Sequence, residues 1–409
     1  MKNSKTRLSL SGPSGEKRLT VLLIDNDGFS DYTCCLARGL SRYLNVILYG
    51  FSKESFNVTG ANTVIGLKFH DIKKRLPKGQ SPISGIIRIF FLFFILLTLL
   101  VRTKYDIVHV QDYLPAFFLF IPFLKLRRKQ ICWTLHDLEI FNFAVGIDGK
   151  LQRLFLRLVS QPALMTKYVD KIFVHAFSLR EQLIAKKVDY NKVLVMPIFD
   201  YRYLLELKDN NREAKPYDSM LKDSYVLFFG NIAPWKGINI LLDAARMVRN
   251  KLGQKFNLVI AGEPYRGFRS IQFFKDLNNE DIQFIKIIDK FITSSEIPYL
   301  VSKSSFLVLP YNNLFQHSAS GVIPLAYTFA RPVVVSNLPS LVEYVDHGKT
   351  GLIFEVNDSK QLANCIIELV KNNSKCLEMG RTAYQKVVSE MSLDVCCKKI
   401  NDYYNNLNV

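Results

Sequence analysis

Acidic residues are in short supply: 36 Asp and Glu against 54 Lys and Arg leave a formal charge of +18. Such a surplus calls for anionic company, whether nucleic acid, anionic lipid or phosphorylated substrates. The marks of nucleic-acid readers are missing: there is no zinc-finger spacing, no RNP-like motif and no long basic run, and the cations are scattered among apolar segments. Nucleic acid is therefore not an expected partner. The 7 cysteines (34, 35, 132, 365, 376, 396 and 397) are odd in number, with two adjacent pairs and no Cys-x-x-Cys. That suits neither a disulfide framework nor a thiolate metal site, and it fits a reducing cytosol. No acidic metal-binding motif is evident, so no metal is expected. No Gly-x-Gly-x-x-Gly fingerprint is present, which argues against a dinucleotide cofactor, and no other cofactor is expected. Residues 1–18 lack the apolar centre of a signal peptide and read as a disordered lead. Neither a low-complexity tract nor a repeat of solenoid period is found.

What remains is an ordinary globular composition, 49% hydrophobic over 409 residues, enough for two cores in domains of about 200 residues each. Short apolar runs alternate with helical segments. Residues 19–24 read as a buried strand, followed by a turn containing Gly28 and a helix over 31–43; 46–49 and 63–67 read as the next strands. Residues 89–101 form thirteen in a row with only Thr98 polar. As a helix they would reach about 20 Å, short of the roughly 30 Å hydrocarbon core. A crossover helix between parallel strands is expected there, and its Phe and Leu, flanked by Arg88, Arg102 and Lys104, suit a helix that also dips into a membrane surface.

Strands are expected over 105–111, ending at Gln111 and Asp112, and over 130–135, ending at His136 and Asp137. Active-site groups of open α/β sheets stand at such carboxyl ends, which makes His136, Asp137 and Asp112 catalytic candidates. Strands over 171–175 and 191–198 follow, with a capping box, Ser178 to Glu181, opening the helix between them. Residues 208–224 are polar and read as a linker between domains at 19–207 and 225–385. Amphipathic helices over 360–371 and 381–407 should pack on the outside, the closing segment being 386–409; Cys396 and Cys397 suit helix packing there.

After a strand at 225–229 the chain reads Gly230-Asn-Ile-Ala-Pro-Trp-Lys236-Gly237, then a helix with apolar residues at 238, 241, 242, 245 and 248 on one face. A glycine turn with a lysine at a helix start is a phosphate seat in physical terms. A strand over 256–262 exits through Glu263, and another is expected over 281–287. In 306–354 a strand at 307–310 leads through Tyr311 and His317-Ser-Ala-Ser320-Gly321 to a helical stretch, 321–330, and a strand, 332–336. That loop gathers backbone N–H groups, two hydroxyls and the positive end of a helix, a place suited to a diphosphate.

The segment from Gly230 to Asp358 resembles the donor-binding half of GT-B glycosyltransferases of the family 4 type. Thr134-Leu-His136-Asp137 resembles that family's Thr-x-His-Asp, whose His points at the donor sugar. The resemblance covers nearly the whole chain, strongly only from 230 to 358. It implies an α/β GT-B architecture of two doubly wound Rossmann-like domains facing a central cleft. It also implies a donor site drawn from Gly28, Asn231, Lys236, Gly237, Glu263, Tyr311, His317, Ser320, Gly321 and Glu343. Lys236 would grip the diphosphate, Glu343 would hold the nucleotide portion, and His136 would stand by the transferred sugar or the acceptor hydroxyl. The sequence departs from the family where Glu-x7-Glu is usual, carrying His317 and Leu325 instead. Asn231 replaces a common Arg, and Ile198-Phe199 stands where a His often follows the proline. A Ser-Gly-Val turn in that place resembles enzymes that build surface polysaccharides and lipid-linked sugars.

The activity so implied moves a hexosyl unit from a nucleotide diphosphate sugar to a lipid-linked or polysaccharide acceptor in cell-surface glycan assembly. The site would be cytoplasmic, peripheral at the inner, anionic face of the cell membrane. An inverting enzyme would need a carboxylate base, Asp137 or Asp112; a retaining one would not. Two other readings stay open: a sugar-nucleotide epimerase of the same fold, and a catalytically silent subunit, given the lost glutamate pair and the missing arginine.

Overall fold

In the computed structural model, which describes residues 18–25, 30–72, 74, 82–111, 117, 119–138, 166–207, 217, 221, 224–265, 268–269, 271–315 and 318–407, the apolar runs pair into two sheets. The first holds β1 (Thr20–Ile24), β2 (Asn45–Gly50), β3 (Lys68–Asp71), β4 (Ile107–Gln111), β5 (Gln130–Thr134), β6 (Lys171–Val174) and β7 (Val193–Val195), in the order β3-β2-β1-β4-β5-β6-β7. The second holds β8 (Tyr225–Phe229), β9 (Leu258–Ala261), β10 (Ile285–Ile288), β11 (Ser304–Leu309), β12 (Val333–Ser336) and β13 (Gly351–Phe354), in the order β10-β9-β8-β11-β12-β13. Pairings from β3 to β5 in the first sheet and throughout the second are parallel. Each sheet is doubly wound, and strand order reverses between β1 and β4 in one and between β8 and β11 in the other. Open α/β sheets bind ligands outside the carboxyl ends of the strands at such a reversal.

By chain contacts the molecule divides into one unit of residues 1–134, 149–172 and 397–409 and another of 135–148 and 173–396. In the first, Val21 to Ile24 are almost wholly buried, as strands covered on both faces must be. Helix Pro82–Arg102 is the crossover between β3 and β4. It opens on proline, whose missing N–H is no loss at the first helical position, and so reaches back beyond the expected 89–101. It buries Leu96, Leu99 and Leu100 and leaves Phe91, Phe94 and Val101 half-exposed. Among the described residues no helix is long and apolar enough to cross a membrane. Two polar side chains are buried in β4, Gln111 at its end and His109 at its centre, the latter with Nδ1 bonded to the Tyr404 hydroxyl of helix Leu393–Asn405 and Nε2 2.7 Å from Thr134 Oγ1. Burial lowers the pKa of His109 to about 3.

In the second unit, helix Ile238–Leu252 buries Ile238, Leu241, Leu242, Ala245 and Val248, the face expected from their spacing. The seven cysteines are free thiols, and all but Cys365 are buried.

Several local expectations are corrected. Residues 63–67 are not a strand: a 3-10 turn at Ala61–Thr63 precedes β3, a partly exposed edge strand with a polar sequence. Residues 281–284 are a helical turn and the strand starts at Ile285. The strand expected over 191–198 shrinks to β7, because Asp189 caps a 3-10 turn at Tyr190–Lys192. The helix expected over 381–407 is two, Asn373–Glu390 and Leu393–Asn405; Ser392 Oγ accepts from Val395 N at 3.3 Å and starts the second. Within 208–224, Tyr217 and Leu221 are buried, and the Tyr217 hydroxyl donates to Glu296 at 2.8 Å.

Candidate functional site

The exits of β8 and β11 are pressed together by a glycine. Gly237, between the 3-10 turn Pro234–Lys236 and helix Ile238–Leu252, has φ +65°, and a Cβ there would lie 1.8 Å from the Pro310 carbonyl oxygen. Both the left-handed backbone and the lack of space demand glycine. Asn312 stitches the two exits further, its side chain donating to Pro234 O at 2.8 Å and its N–H to Trp235 O at 3.1 Å. The Lys236 ammonium consequently sits over the Tyr311 ring, 3.8 Å from its centroid, and 4.8 Å from that of Phe315, a cation–π pair of rings. The buried Tyr311 hydroxyl lies 3.3 Å from Ser320 Oγ, and Gly321 packs so closely that a Cβ would fall 2.6 Å from the Tyr201 hydroxyl. Lys236, Gly237, Tyr311, Ser320 and Gly321 are thus brought into one cluster at the reversal point of the second sheet.

The helix after Gly321 is Val322–Thr328, shorter than the expected 321–330. Helix Ile238–Leu252, with 15 residues, carries the fuller dipole, and its first amides follow directly on Lys236. Asn231 and Glu263 are exposed on the neighbouring loops, held by a bond from Ile232 N to the Glu263 carbonyl at 2.8 Å.

His136 and Asp137 leave the carboxyl end of β5 as expected. The Asp137 backbone bridges antiparallel to Ser318, and Ser318 Oγ donates to the His136 carbonyl at 3.2 Å, tying this pair to the loop that carries Ser320. The His136 ring is buried, its Nδ1 2.9 Å from Nε2 of His175. His175 Nδ1 in turn lies 2.9 Å from the Met196 carbonyl oxygen, and burial lowers the pKa of His175 to about 4. The Tyr344 hydroxyl donates to the His175 carbonyl at 2.5 Å and accepts from Ile198 N at 3.1 Å. His175 was not among the expected site residues; the available signal was a second histidine at the end of the next strand.

Glu343 has a different setting from the one the resemblance implied. Its two carboxylate oxygens accept from Phe177 N at 2.5 Å and Ser178 N at 2.7 Å. These are the first amides of helix Phe177–Ala185, whose N-cap residue Ala176 has no side-chain bond to offer, so Glu343 takes the place of the expected capping box. A carboxylate there satisfies two orphan donors and meets the positive end of the dipole, an engagement that competes with holding a nucleotide.

Gly28, Asp112 and His317 lie outside the described residues. At the reversal point of the first sheet, Asp25 follows β1 as a buried carboxylate accepting from Ser30 Oγ at 2.6 Å and Thr33 Oγ1 at 2.7 Å; it is not among the expected site residues, and an acid directly after a buried strand is the signal that points to it. Gln111, at the end of β4, is fully buried, and neither end of its amide has a hydrogen-bond partner among the described residues. Among those residues no group of three or more His, Cys, Asp or Glu is placed to hold a metal ion.

Two family models match the chain, Glycosyltransferase Family 4 over residues 32–198 and Glycosyl transferases group 1 over residues 209–386. The chain is 23% identical over 205 residues to the capsular polysaccharide biosynthesis glycosyltransferase CapM of Staphylococcus aureus, a match covering 48% of this chain and 50% of that protein. It is 21% identical over 407 residues to the chitobiosyldiphosphodolichol beta-mannosyltransferase of Debaryomyces hansenii, covering 90% of this chain and 84% of that one. Among solved structures, Anabaena HepE in complex with UDP-glucose superposes with a TM-score of 0.68 at 16% identity, over 95% of this chain and 100% of that one. The fold is GT-B. Matched in both halves by glycosyltransferase models, the chain is a GT-B glycosyltransferase, an enzyme of the group 1 kind.

Proposed function

We propose that the protein transfers a hexosyl unit from a nucleotide diphosphate sugar to a lipid-linked or polysaccharide acceptor in cell-surface glycan assembly. The observation that carries the reading is the Lys236–Tyr311–Ser320 cluster, standing where the second sheet reverses strand order. The names of the relatives support it: CapM serves capsular polysaccharide biosynthesis, the Debaryomyces enzyme is a mannosyltransferase named for a dolichol-linked chitobiosyl diphosphate, and HepE holds UDP-glucose.

As the glycosidic bond breaks, the departing nucleoside diphosphate gains negative charge and the sugar becomes cationic. Fixed donors aimed at that charge lower the barrier most. Lys236, the first amides of helix Ile238–Leu252 and the amides at Ser320 and Gly321 fill this role, and the scheme calls on no cofactor. His136 stands by the transferred sugar or the acceptor hydroxyl; if the reaction inverts, Asp137 or Asp112 is the carboxylate base. Glu343 would reach the nucleotide only by leaving the helix end it caps.

The acceptor side of the reading places the protein peripherally on an anionic membrane at the cytoplasmic face. Phe93 stacks on Phe120 at 4.6 Å, and Arg127 donates to Leu100 O at 3.2 Å, so the half-exposed Phe91, Phe94 and Val101 share a surface with Leu126, 85% exposed, and with Arg102, Arg127 and Arg128. Each cation near an anionic bilayer contributes about 1 kcal/mol. Co-sedimentation with anionic but not neutral vesicles, reversed by salt, is the expected result; retention on neutral vesicles at high salt overturns the peripheral placement.

The donor reading is tested by calorimetry with UDP-glucose, UDP-N-acetylglucosamine and GDP-mannose. One of them should bind, and Lys236→Ala should weaken that binding about 10- to 100-fold, equivalent to about 1.4–3 kcal/mol. Binding of none by the wild type, or equal binding by the variant, defeats the proposal.

A further inference from the structure

We propose that His175 is a positioning residue that fixes the proton of His136 on Nδ1 and thereby presents Nε2 as the reacting nitrogen. The inference rests on the reading that His136 stands beside the transferred sugar, and it adds a residue that the sequence did not single out.

One group in this series of hydrogen bonds has no choice of role. The Met196 carbonyl oxygen can only accept. His175 Nδ1, 2.9 Å away, must therefore carry the proton of that bond. A neutral imidazole holds a single N–H, and His175 is neutral near pH 7 because burial depresses its basicity. Its Nε2 is consequently an acceptor. The atom 2.9 Å from that Nε2 is His136 Nδ1, so His136 must donate, and its own proton is held on Nδ1. The lone pair of neutral His136 is then on Nε2, the ring atom turned away from His175. There it can accept a bond from a hydroxyl of the sugar or acceptor, and a proton taken from the acceptor hydroxyl as its oxygen bonds to the sugar carbon leaves again from Nε2, to the departing diphosphate or to water. No proton passes through His175, whose Nδ1 is committed to the carbonyl.

Both backbones are held while this happens. Ser318 Oγ donates to the His136 carbonyl at 3.2 Å, and the Tyr344 hydroxyl donates to the His175 carbonyl at 2.5 Å. A reacting imidazole is ordinarily oriented by a carboxylate or carbonyl that accepts from its other ring N–H. Here the carbonyl acts at one remove, with a buried imidazole in between.

The first test needs no variant. Nitrogen-15 imidazole spectra of the full-length wild type at pH 7.5 should show His136 protonated on Nδ1 and bare on Nε2; a His136 protonated on Nε2 overturns the inference. The second test uses release of UDP or GDP from whichever of UDP-glucose, UDP-N-acetylglucosamine and GDP-mannose binds. His175→Phe should lower kcat about 10- to 100-fold, as losing the partner that orients a working imidazole ordinarily does, with KM for the nucleotide sugar changed by less than about twofold. The acid limb of kcat should move to lower pH, because the His136 imidazolium loses its acceptor. His175→Gln, whose amide oxygen takes the place of Nε2 as acceptor, should recover most of the rate and guards against a phenylalanine variant that does not fold. If His136→Ala abolishes turnover while His175→Phe keeps the wild-type rate and pH profile, the positioning role is wrong and the reading of His136 survives. If His136→Ala turns over normally, the reading of His136 fails, while the spectrum still decides where the proton sits.

Discussion

His109 lies inside β4 and His175 just beyond β6; both are buried, and burial lowers the pKa of each, to about 3 and about 4. His109 has hydroxyls on both sides, Tyr404 and Thr134. A hydroxyl can donate or accept, so these partners rotate to suit either tautomer, and the network fastens the C-terminal helix to the sheet without imposing a direction. His175 has a carbonyl on one side and an imidazole on the other. A carbonyl cannot adapt, and its demand is passed on to His136. The nature of the partner separates a histidine that holds the fold from one that prepares a reaction.

The largest effect that could break this comparison is acid. An imidazole near 6.5 in the unfolded chain and depressed in the fold contributes its full stability above pH 6.5. That contribution is lost as pH falls towards the folded value, about 3 for His109 and about 4 for His175. Between pH 7 and pH 5 each should lose about 2 kcal/mol. Urea unfolding at the two pH values should show His109→Phe and His175→Phe flattening this loss by similar amounts, while only His175→Phe slows turnover. A His109→Phe variant as slow as His175→Phe would erase the distinction.

A smaller effect is expected two residues along β4 from His109, where polar satisfaction gives way altogether. Gln111 is as buried as His109, yet its amide has no hydrogen-bond partner among the described residues. An unmet buried amide costs about 1–3 kcal/mol, so Gln111→Leu should raise stability by about 1 kcal/mol and lower transferase activity, the pattern of a group kept for a ligand. A stabilised variant of unchanged activity would instead class Gln111 with packing.

The same contrast explains what could be read in advance. Strands such as β1, β8 and β12 were legible because parallel strands buried on both faces are apolar throughout; β3, at the edge and reading Lys-Phe-His-Asp, carries no such run. Lys236, Gly237, Ser320 and Gly321 announce themselves as turns at helix starts. What they touch does not, because Lys236 meets Tyr311 only through the adjacency of β8 and β11. His136 and His175 are 39 positions apart, and Glu343 and Phe177 are 166 apart. No local pattern encodes contacts at that range; they follow from strand order, which apolar periodicity leaves open.

The smallest effect concerns Glu343, where sequence resemblance and local geometry point to different partners. The carboxylate is exposed and caps helix Phe177–Ala185, and an anion at an exposed helix start contributes about 0.3–1 kcal/mol. Glu343→Gln keeps one acceptor oxygen, loses the charge and turns an N–H towards a backbone N–H, so a loss of stability in that range is expected. If capping is its whole role, affinity for the bound nucleotide sugar should change by less than about twofold. A loss of about tenfold, about 1.4 kcal/mol, would mean that the donor draws Glu343 off the helix. The helix start would then be left open whenever the nucleotide is bound, and its amides, bonded to Glu343 in the free protein, should exchange faster in the complex. Slower or unchanged exchange with tenfold weaker binding would separate the two roles and leave the cap in place.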